Sequence, residues 1–423
     1  MFARLRRFWF GLPVASRVAV LVWVVLLGGI GGRVLVSKPT SQTVVPIYLT
    51  AGHRWIAGED LYAPAPDQDV YRNPPGVAAG FAALTPLPDQ LAGVVWRMLG
   101  SAVVLTGLFR LRRDFAPDLA PLQTAVLFLL AAGLVLPAIN NGQVNLLLAG
   151  SILHGSSAAQ RGRYWEAALW FGLGGGLKVY PLAAGLLVAL VHPLRFAPKL
   201  LAVLVAGGLA PFLFQDSEYV LEQYRNYFEY LGTDDRTYAT LYRVPRDWTV
   251  IPRVWLNVTV SPDAIKIVDL LAALVAAGVV GGTALTTYDR RSALGRALVL
   301  GSVWMTAFGP ATEANTYAIL AGPAAWVAVA TAGRARWIAG AGVTLLLMTI
   351  FRGLFPHDWQ FQILGPQALG AVLIGVAGMT VGSSVPVSAT TVVSTRWVDS
   401  QRIRRTPINA PTPLPVRRVP TDH

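Results

Sequence analysis

Long apolar segments with few charges are the feature that most limits how this chain can fold. Several reach or exceed the roughly 18 residues that an α-helix needs to cross the hydrocarbon of a bilayer. Lipid offers the backbone no hydrogen-bonding partner, so such segments must satisfy it within helices. The clearest are Val18–Val36, Leu119–Leu136, Leu200–Phe214 with its flanks, Ile267–Leu285 and Ala339–Ile350 with its flanks. We therefore expect an all-α, polytopic membrane protein.

The composition agrees with a membrane protein and excludes several functional classes. Of the 423 residues, 54% are hydrophobic and 13% are charged, whereas soluble domains carry about 25% charged residues. The chain has no cysteine, which rules out disulfides and thiolate chemistry. The few histidines lack metal-ligand spacing, so the sequence requires no metal. The formal charge of +13 is typical of loop and tail arginines that follow the positive-inside rule, and we expect no nucleic-acid partner.

The order of apolar and polar segments predicts about 10–12 transmembrane helices within residues 1–382. Arginines at positions 4, 6 and 7 precede the first apolar segment, which we interpret as an uncleaved helix with a cytoplasmic N-terminus. Polar loops at about 37–74 and 215–262 follow, and we expect the first, which is acidic, to be extracytoplasmic. Residues 383–423 lack hydrophobic periodicity and predict a disordered, cytoplasmic tail.

Three segments carry more local expectations. Ile47–Ile56 has the pattern of a short amphipathic helix at the membrane interface. After Pro74-Pro75, the short run Gly76–Leu87 either crosses the membrane or forms a half-span packed inside protein. Tyr164–Val191 is long for one crossing and is interrupted by a glycine triplet and by Lys178-Val-Tyr-Pro. Broken helices are tolerated where they line a cavity or are buried in protein.

The first polar loop holds carboxylates and aromatic side chains next to the membrane. The sequence W-I-A-G-E-D-L-Y spans 55–62, and D-Q-D-V-Y-R-N-P-P spans 67–75. Carboxylates in this position either act as a general base or hold a divalent cation, or they belong to an ordinary loop that Asp60 caps. The candidate residues are Glu59, Asp60, Tyr62, Asp69, Tyr71 and Arg72.

Four amide side chains lie at the start of another apolar run, in I-N-N-G-Q-V-N-L-L-L-A-G at 139–150. An unpaired amide is costly in hydrocarbon, so these groups pair with others, line a cavity or cap a helix. Asn141 and Asn145 are four positions apart, which places them on one helix face. The four candidates for binding ligand hydroxyls are Asn140, Asn141, Gln143 and Asn145.

Charged residues interrupt two later apolar runs. Lys178 lies mid-segment beside Tyr180, where a cation either binds a phosphate as a point charge or marks an interface at which the chain turns. The sequence P-A-T-E-A-N-T-Y at 310–317 places Glu313 and Asn315 at a helix start. There the carboxylate either partners the helix N-terminus, orients a sugar, or pairs with Lys178.

The order of these motifs resembles a known family. W-x-x-G-E-D-L-Y and Y-R-N-P-P, then N-N-G-Q-V-N, then G-L-K-V-Y-P are similar to glycosyltransferase family 87, the polyprenyl-phosphate-mannose-dependent mannosyltransferases, also called DUF2029. The similarity runs from about residue 40 to 200, with weaker support from Glu313–Tyr317.

The resemblance implies a GT-C-like bundle in the bacterial cytoplasmic membrane. Such an enzyme would take a hexose, here mannose, from a polyprenyl-phosphate donor. It would transfer the sugar to a lipid or glycan acceptor on the extracytoplasmic side, with inversion. An acid of the first loop would be the base, a cation such as Lys178 or Arg72 would stabilise the departing phosphate, and the amides would bind sugar or phosphate. Membrane lipid, donor and acceptor are then the partners, and no oligomeric state is specified.

One position departs from the family pattern and leaves alternatives open. Family members commonly carry an aspartate shortly before a tyrosine that corresponds to Tyr48, whereas this chain reads T-S-Q-T-V-V-P-I-Y. Asp60, followed by Asp69 and Glu59, is our substitute for the missing base. The alternatives are a transporter or flippase of a lipid-linked substrate, whose broken helices would be similar, and a catalytically silent homologue.

Overall fold

The structure is a computed structural model that describes residues 6, 9–37, 43–233, 245–286, 289–310, 312–348, 350 and 364–380. Within these residues the regular structure is helical and no strand occurs. The predicted all-α fold is therefore confirmed. The proposed tail at 383–423 lies outside the described residues, as do residues 234–244 of the second polar segment.

Short connections join the helices of the first half of the chain. They are α1 (Val14–Ser37), α2 (Val45–Ala57), α3 (Pro75–Ala82), α4 (Asp89–Phe115), α5 (Pro121–Asn141), α6 (Asn145–Gln160), α7 (Tyr164–Leu177), α8 (Leu182–Val191) and α9 (Pro193–Leu209), with a 3₁₀ turn at Ala210–Leu213. Proline stands in the first turn of α2, α3, α5 and α9, where its missing N–H would have had no helical partner.

The second half of the described chain contains shorter and less regular elements. They are α10 (Ser217–Thr233), α11 (Val250–Trp255), α12 (Pro262–Thr286), α13 (Arg290–Val303), a π-helical turn at Trp304–Phe308, a 3₁₀ helix at Ala314–Leu320, α14 (Ala321–Ala330), α15 (Gly333–Leu347) and α16 (Pro366–Gly378). α10 and α11 fall in the segment that the sequence marks only as a polar loop.

Five helices of the described residues are long and apolar enough to cross a membrane. They are Val14–Val36, Asp89–Phe115, Pro121–Asn141, Pro193–Leu213 and Pro262–Thr286, and shorter apolar helices occur at Leu182–Val191, Ala314–Ala330 and Pro366–Gly378. The chain is therefore a multi-pass membrane protein. The expected number of about 10–12 crossings stays a prediction.

α6 is the central helix of the described bundle, since nearly every one of its residues is buried. Glycines of α4 allow its close approach: a Cβ at Gly100 would lie 2.9 Å from Leu146 Cβ, and one at Gly107 would lie 2.9 Å from Leu153 Cβ. Small residues at helix contacts let membrane helices pack closely without a hydrophobic driving force. The N-terminus of α6 is thereby fixed in the interior.

Two local expectations are resolved by the helix boundaries. α3 has 8 residues, far short of the about 20 that a crossing needs, and it buries Val77, Ala78 and Phe81. Gly76–Leu87 therefore does not cross the membrane as one continuous helix, and its half-span interpretation stays a prediction. The expected break in Tyr164–Val191 is also confirmed, because α7 ends at Leu177 and α8 begins at Leu182.

Candidate active site

The first polar loop is folded against the end of α2. Gly58 ends that helix in the left-handed region, with φ 70°, and the chain then turns back. The Arg54 guanidinium donates to the carbonyl oxygens of Leu61, Ala63 and Pro64. The Tyr62 N–H donates to Asp60 Oδ1 at 3.0 Å, a local turn of the kind aspartate favours. These bonds hold the W-I-A-G-E-D-L-Y motif in one conformation.

α10 packs on this loop and provides it with side-chain partners. Gln223 Oε1 accepts from the Leu61 N–H at 2.9 Å, and Asn226 Nδ2 donates to Asp60 Oδ1 at 3.2 Å. Gln223 is 1% exposed, so its hydrogen bond to the loop is shielded from water. The two polar segments, far apart in sequence, thus form one structure.

Tyrosines of the loop and of α10 form an aromatic cluster. The Tyr62 ring centroid lies 5.7 Å from that of Tyr71, 6.1 Å from that of Tyr227 and 6.4 Å from that of Tyr230. Burial, with Tyr227 and Asp60 nearby, raises the pKa of Tyr62 above its ordinary value, and burial raises the pKa of Tyr227 to about 12. These phenols are therefore neutral near pH 7 and act as hydrogen-bond donors, not as bases.

The three loop carboxylates proposed as the base have different surroundings. Asp69 forms an ion pair with Arg72, with Arg72 Nη1 2.6 Å from Asp69 Oδ2 and Arg72 Nη2 3.0 Å from Asp69 Oδ1. Arg72 also donates through Nε to the Tyr230 hydroxyl at 2.7 Å. Asp60 is exposed and accepts the two bonds described above, while Glu59 is exposed and its carbonyl accepts from the Tyr219 hydroxyl.

Asn73 joins the loop to the broken helix. The Tyr62 hydroxyl donates to the Asn73 carbonyl at 2.9 Å, and Asn73 Nδ2 donates to the Leu177 carbonyl at 3.0 Å. Asn73 is 2% exposed. Leu177 is the last residue of α7, so this buried amide connects the Y-R-N-P-P motif directly to the Lys178 break.

Lys178 lies at the break itself, between α7 and α8. Its backbone is extended, with φ −152° and ψ 148°, and its side chain is half-buried. The ammonium Nζ lies 5.7 Å from the centroid of the Tyr180 ring, within the range of a cation–π contact. The break therefore places a cation and a phenol side by side.

The amide motif forms a hinge between two helices, and one expectation for it is wrong. α5 ends at Asn141, Gly142 takes the left-handed conformation with φ 74°, and α6 begins at Asn145. Asn141 and Asn145 therefore do not share one helix face. The reason is the helix-ending preference of glycine after Asn-Asn: the Gly142 N–H closes the last turn on the Ala138 carbonyl at 2.9 Å.

A buried arginine that the sequence analysis missed holds this hinge. Arg97 of α4 is 1% exposed and donates to the carbonyls of Ile139, Asn140 and Gly93 and to Thr43 Oγ1, at 2.9–3.0 Å. The guanidinium thus gives donors to carbonyls in the last turn of α5, where the Ile139 carbonyl also accepts from the Gly142 N–H at 3.2 Å. The rule for intramembrane charges that singled out Lys178 also applies to Arg97.

Asn140 and Asn141 face the first helix and the chain that follows it. The Asn140 amide oxygen accepts from Arg33 of α1. The backbone carbonyl of Asn141 accepts from Thr43 Oγ1 at 3.0 Å and from the Val44 N–H at 3.1 Å. These two residues of the amide motif thus tie the end of α5 to α1 and to the start of α2.

Gln143 and Asn145 form a connected chain of polar groups with residues from two other elements. Gln143 Nε2 donates to Glu313 Oε2 at 3.0 Å, and Asn145 Nδ2 donates to Gln143 Oε1. The Tyr180 hydroxyl is 3.5 Å from Asn145 Oδ1, a long and weak contact. Asn145 is 0% exposed and Gln143 is 6% exposed. The chain from Tyr180 to Glu313 therefore lies within the protein interior and ends beside Lys178.

Glu313 lies immediately before the 3₁₀ helix Ala314–Leu320, as the sequence predicts for a helix start. Its N–H donates to Thr316 Oγ1 at 3.1 Å. Its carboxylate accepts from Gln143 Nε2. Glu313 and Asn315 are half-buried. A carboxylate from the second half of the chain is thus brought to the amides of the first half.

A model of glycosyltransferase family 87 matches residues 71–310, more than half of the chain. The chain belongs to glycosyltransferase family 87. A comparison with curated proteins finds no match. The resemblance read from the motifs is therefore confirmed at the level of the family.

The family 87 match covers only part of the candidate site. Tyr71, Arg72, the four amides, Lys178 and Tyr180 lie within the matched residues. Tyr62 and the acids Glu59, Asp60 and Asp69 precede the match, and Glu313 and Asn315 follow it. Membership thus supports a membrane glycosyltransferase with a lipid-linked donor, while the geometry alone connects Glu313 to the matched region.

Proposed function

We propose that this family 87 protein transfers a hexose, specifically mannose, from a polyprenyl-phosphate donor to a hydroxyl of a lipid or glycan acceptor on the extracytoplasmic side. The observation that carries the proposal is the convergence of three motifs. At the Lys178 break, Asn73 Nδ2 of the first loop donates to the Leu177 carbonyl. Tyr180 of the same break lies next to Asn145, which donates to Gln143, and Gln143 donates to Glu313. A lipid-phosphate sugar needs a cation, hydroxyl-binding amides and a carboxylate, and this place provides all three.

Lys178 is our proposed partner for the donor phosphate. A lysine ammonium is a compact point charge that suits a phosphate, and a preorganised cation stabilises the negative charge that develops as the phosphate leaves. The break of the helix at 178–181 leaves the ammonium beside a phenol, Tyr180. Arg72, which the sequence also suggested, is engaged by Asp69 and Tyr230.

The amides and tyrosines are our proposed contacts for sugar and phosphate oxygens. Gln143, Asn145, Asn140, Asn141 and Asn315 supply both donors and acceptors. The Tyr62 and Tyr71 hydroxyls donate to backbone carbonyls and can still accept, and the Tyr180 hydroxyl can donate or accept. A site built to hydrogen-bond hydroxyls rejects molecules that lack them, because its buried polar groups would then be left unpaired. Such a cluster suits a sugar better than a purely apolar substrate.

The proposed reaction exchanges one bond at the anomeric carbon. The acceptor oxygen forms a bond to C1 on the face opposite the phosphate, the C1–oxygen bond to the phosphate breaks, and polyprenyl phosphate leaves with the electron pair. Direct displacement of this kind inverts the anomeric centre. The acceptor proton passes to a carboxylate, for which the sequence offers Asp60, Asp69 and Glu59.

The test is sugar transfer by purified protein in lipid nanodiscs. Radiolabelled polyprenyl-phosphate-mannose and polyprenyl-phosphate-glucose are the donors, GDP-mannose is the control for a nucleotide-sugar donor, and a bacterial lipid extract supplies acceptors. We expect labelled product from a lipid-phosphate donor and none from GDP-mannose. Product from GDP-mannose alone, or from no donor, would contradict the proposal.

The same materials separate the alternatives. In proteoliposomes, a transporter or flippase would move the labelled donor across the bilayer without forming a covalent product. A catalytically silent homologue would neither transfer the sugar nor bind the donor. Either result would replace the proposed function.

A further inference from the structure

Two of the three loop acids have partners within the folded loop. The Asp69 carboxylate is held by both terminal nitrogens of Arg72 and also accepts from the Val70 N–H at 2.9 Å. Asp60 Oδ1 accepts from a backbone N–H and from Asn226. Each of these two side chains has a structural task in the loop.

Glu313 lies at the amide motif. Its Oε2 accepts from Gln143 Nε2 at 3.0 Å. Asn145 donates to Gln143 Oε1, so the opposite end of the Gln143 amide, Nε2, must face Glu313. The direction of this amide is therefore fixed by its second partner, and the Glu313 carboxylate lies in the polar chain that leads to Tyr180, next to Lys178.

We infer that Glu313 is the general base that takes the proton of the acceptor hydroxyl. The inference rests on the proposed function and specifies its base in place of the loop acids. The acceptor O–H proton moves to the Glu313 carboxylate as the acceptor oxygen bonds to C1. The C1–oxygen bond to the phosphate breaks at the same time, and polyprenyl phosphate takes that electron pair. Gln143 orients the carboxylate.

The test compares Glu313→Gln, Glu313→Ala and Glu313→Asp with wild-type protein in the transfer assay. Loss of a general base lowers kcat by about 10²–10⁴-fold, so we expect Glu313→Gln to fall at least about 100-fold with little change in the donor KM. Glu313→Asp should keep part of the activity. Formate should restore part of the activity of Glu313→Ala, because it supplies an external carboxylate. Glu222→Gln, an exposed glutamate of α10, is the matched control and should match wild type.

The outcomes separate this inference from the proposed function. Asp60→Asn and Asp69→Asn are assayed in parallel and should each lose less activity than Glu313→Gln. Transfer by wild type together with near wild-type kcat in Glu313→Gln would overturn the inference alone. Formate rescue of Asp60→Ala but not of Glu313→Ala, with both variants melting like wild type, would also overturn it. Absence of transfer by wild type would overturn the proposed function and the inference with it.

Discussion

At the scale of single residues, Arg97 and Lys178 show two uses of a cation within apolar sequence. Arg97 is 1% exposed and donates to a carbonyl of its own helix, α4, and to two carbonyls of α5. Lys178 is half-buried at a helix break. The planar fork of arginine suits several fixed acceptors, whereas the lysine ammonium suits one phosphate. The two residue types match a structural and a substrate-binding role, respectively.

Replacement of Arg97 should destabilise the hinge. Arg97→Met removes the donor that the Asn140 carbonyl accepts from, and a buried polar group left without a partner costs about 1–3 kcal/mol. We therefore expect the free energy of unfolding to fall by about 1–3 kcal/mol, with a lower Tm in detergent followed by tryptophan fluorescence. Arg225→Met, at an exposed position of α10, is the control. Equal melting of the two variants would show that the Arg97 hydrogen bonds add nothing to stability.

Replacement of Lys178 should weaken donor binding without unfolding the protein. A hydrogen bond to a charged group is worth about 1.5–3 kcal/mol, so Lys178→Met should raise the donor Kd about 10- to 100-fold. Binding is measured with a fluorescent polyprenyl-phosphate-sugar analogue in nanodiscs. Lys266→Met, an exposed lysine beside Asp263, should bind like wild type. Unchanged affinity in Lys178→Met would remove the phosphate-binding role.

The sequence could identify these site residues but not their contacts. Lys178, Gln143 and Glu313 stand out because polar groups in apolar runs need a partner or a function. The bond between Gln143 and Glu313 joins residues 170 positions apart, and no local pattern specifies such a pair. The same rule applies to Arg97. The sequence does not single it out, because the apolar residues around it make the segment resemble an ordinary transmembrane helix.

At the scale of elements, the amide motif is a helix–hinge–helix. The prediction that Asn141 and Asn145 share one helix face is wrong because Gly142 ends α5 in the left-handed region, a common helix-ending role of glycine. The break at Lys178 was foreseen, since glycine and proline flank it. Both interruptions supply residues to one chain of contacts, from Tyr180 to Glu313. Most residues of the candidate site thus lie at the breaks between helices and not on the faces of continuous helices.

The hinge glycine provides an element-scale prediction with a matched control. Gly142 and Gly162 both have positive φ, at 74° and 71°, so alanine at either position costs about 1–2 kcal/mol in backbone strain. At Gly142 the added Cβ would also lie 2.5 Å from Val45 Cγ2 and 3.1 Å from Arg97 Cζ, whereas nothing lies within 4 Å at Gly162.

We therefore expect Gly142→Ala to melt lower than Gly162→Ala and to lose transfer activity that Gly162→Ala keeps. The measurements are Tm in detergent and the radiolabel transfer assay. The same Tm and activity in both variants would mean that the hinge tolerates the added methyl group and does not position the amides.

The polar segment after α9 illustrates why part of the fold could not be predicted. Residues 217–233 have the composition of a loop, yet they form α10 and pack on the first loop. The helix is stabilised by tertiary packing of its aromatic face, since Val220 and Tyr227 are 0% and 4% exposed. Such packing depends on a surface 162–166 residues away in the chain, which hydropathy does not reveal.

At the scale of the whole molecule, the two ends of α6 differ in chemistry. Its N-terminus carries the amide chain, and near its C-terminus Arg161 pairs with Asp114, Arg110 pairs with Glu166, and Arg163 lies 3.0 Å from Glu166. Arginine-rich ends of membrane helices favour the cytoplasmic side. We therefore propose that the basic end is cytoplasmic and that the amide end, with the first loop, is extracytoplasmic.

The absence of cysteine allows this orientation to be tested directly. Pro66→Cys in the first loop and Asp118→Cys beyond the basic end of α4, both exposed, each give a single thiol. In intact cells we expect a membrane-impermeant maleimide to label the cysteine at position 66 and not the one at position 118. Both should be labelled after permeabilisation. The reverse pattern in intact cells would place the candidate site on the cytoplasmic side.

The most direct test of the account is a structure of the protein with a non-transferable phosphonate analogue of the polyprenyl-phosphate sugar. The account predicts that the phosphonate lies within about 4 Å of Lys178 Nζ, the distance of an ion pair, and that C1 faces the cluster of Gln143, Asn145 and Glu313. A phosphonate bound at the arginines at the opposite end of α6, or a sugar that contacts none of these residues, would contradict it.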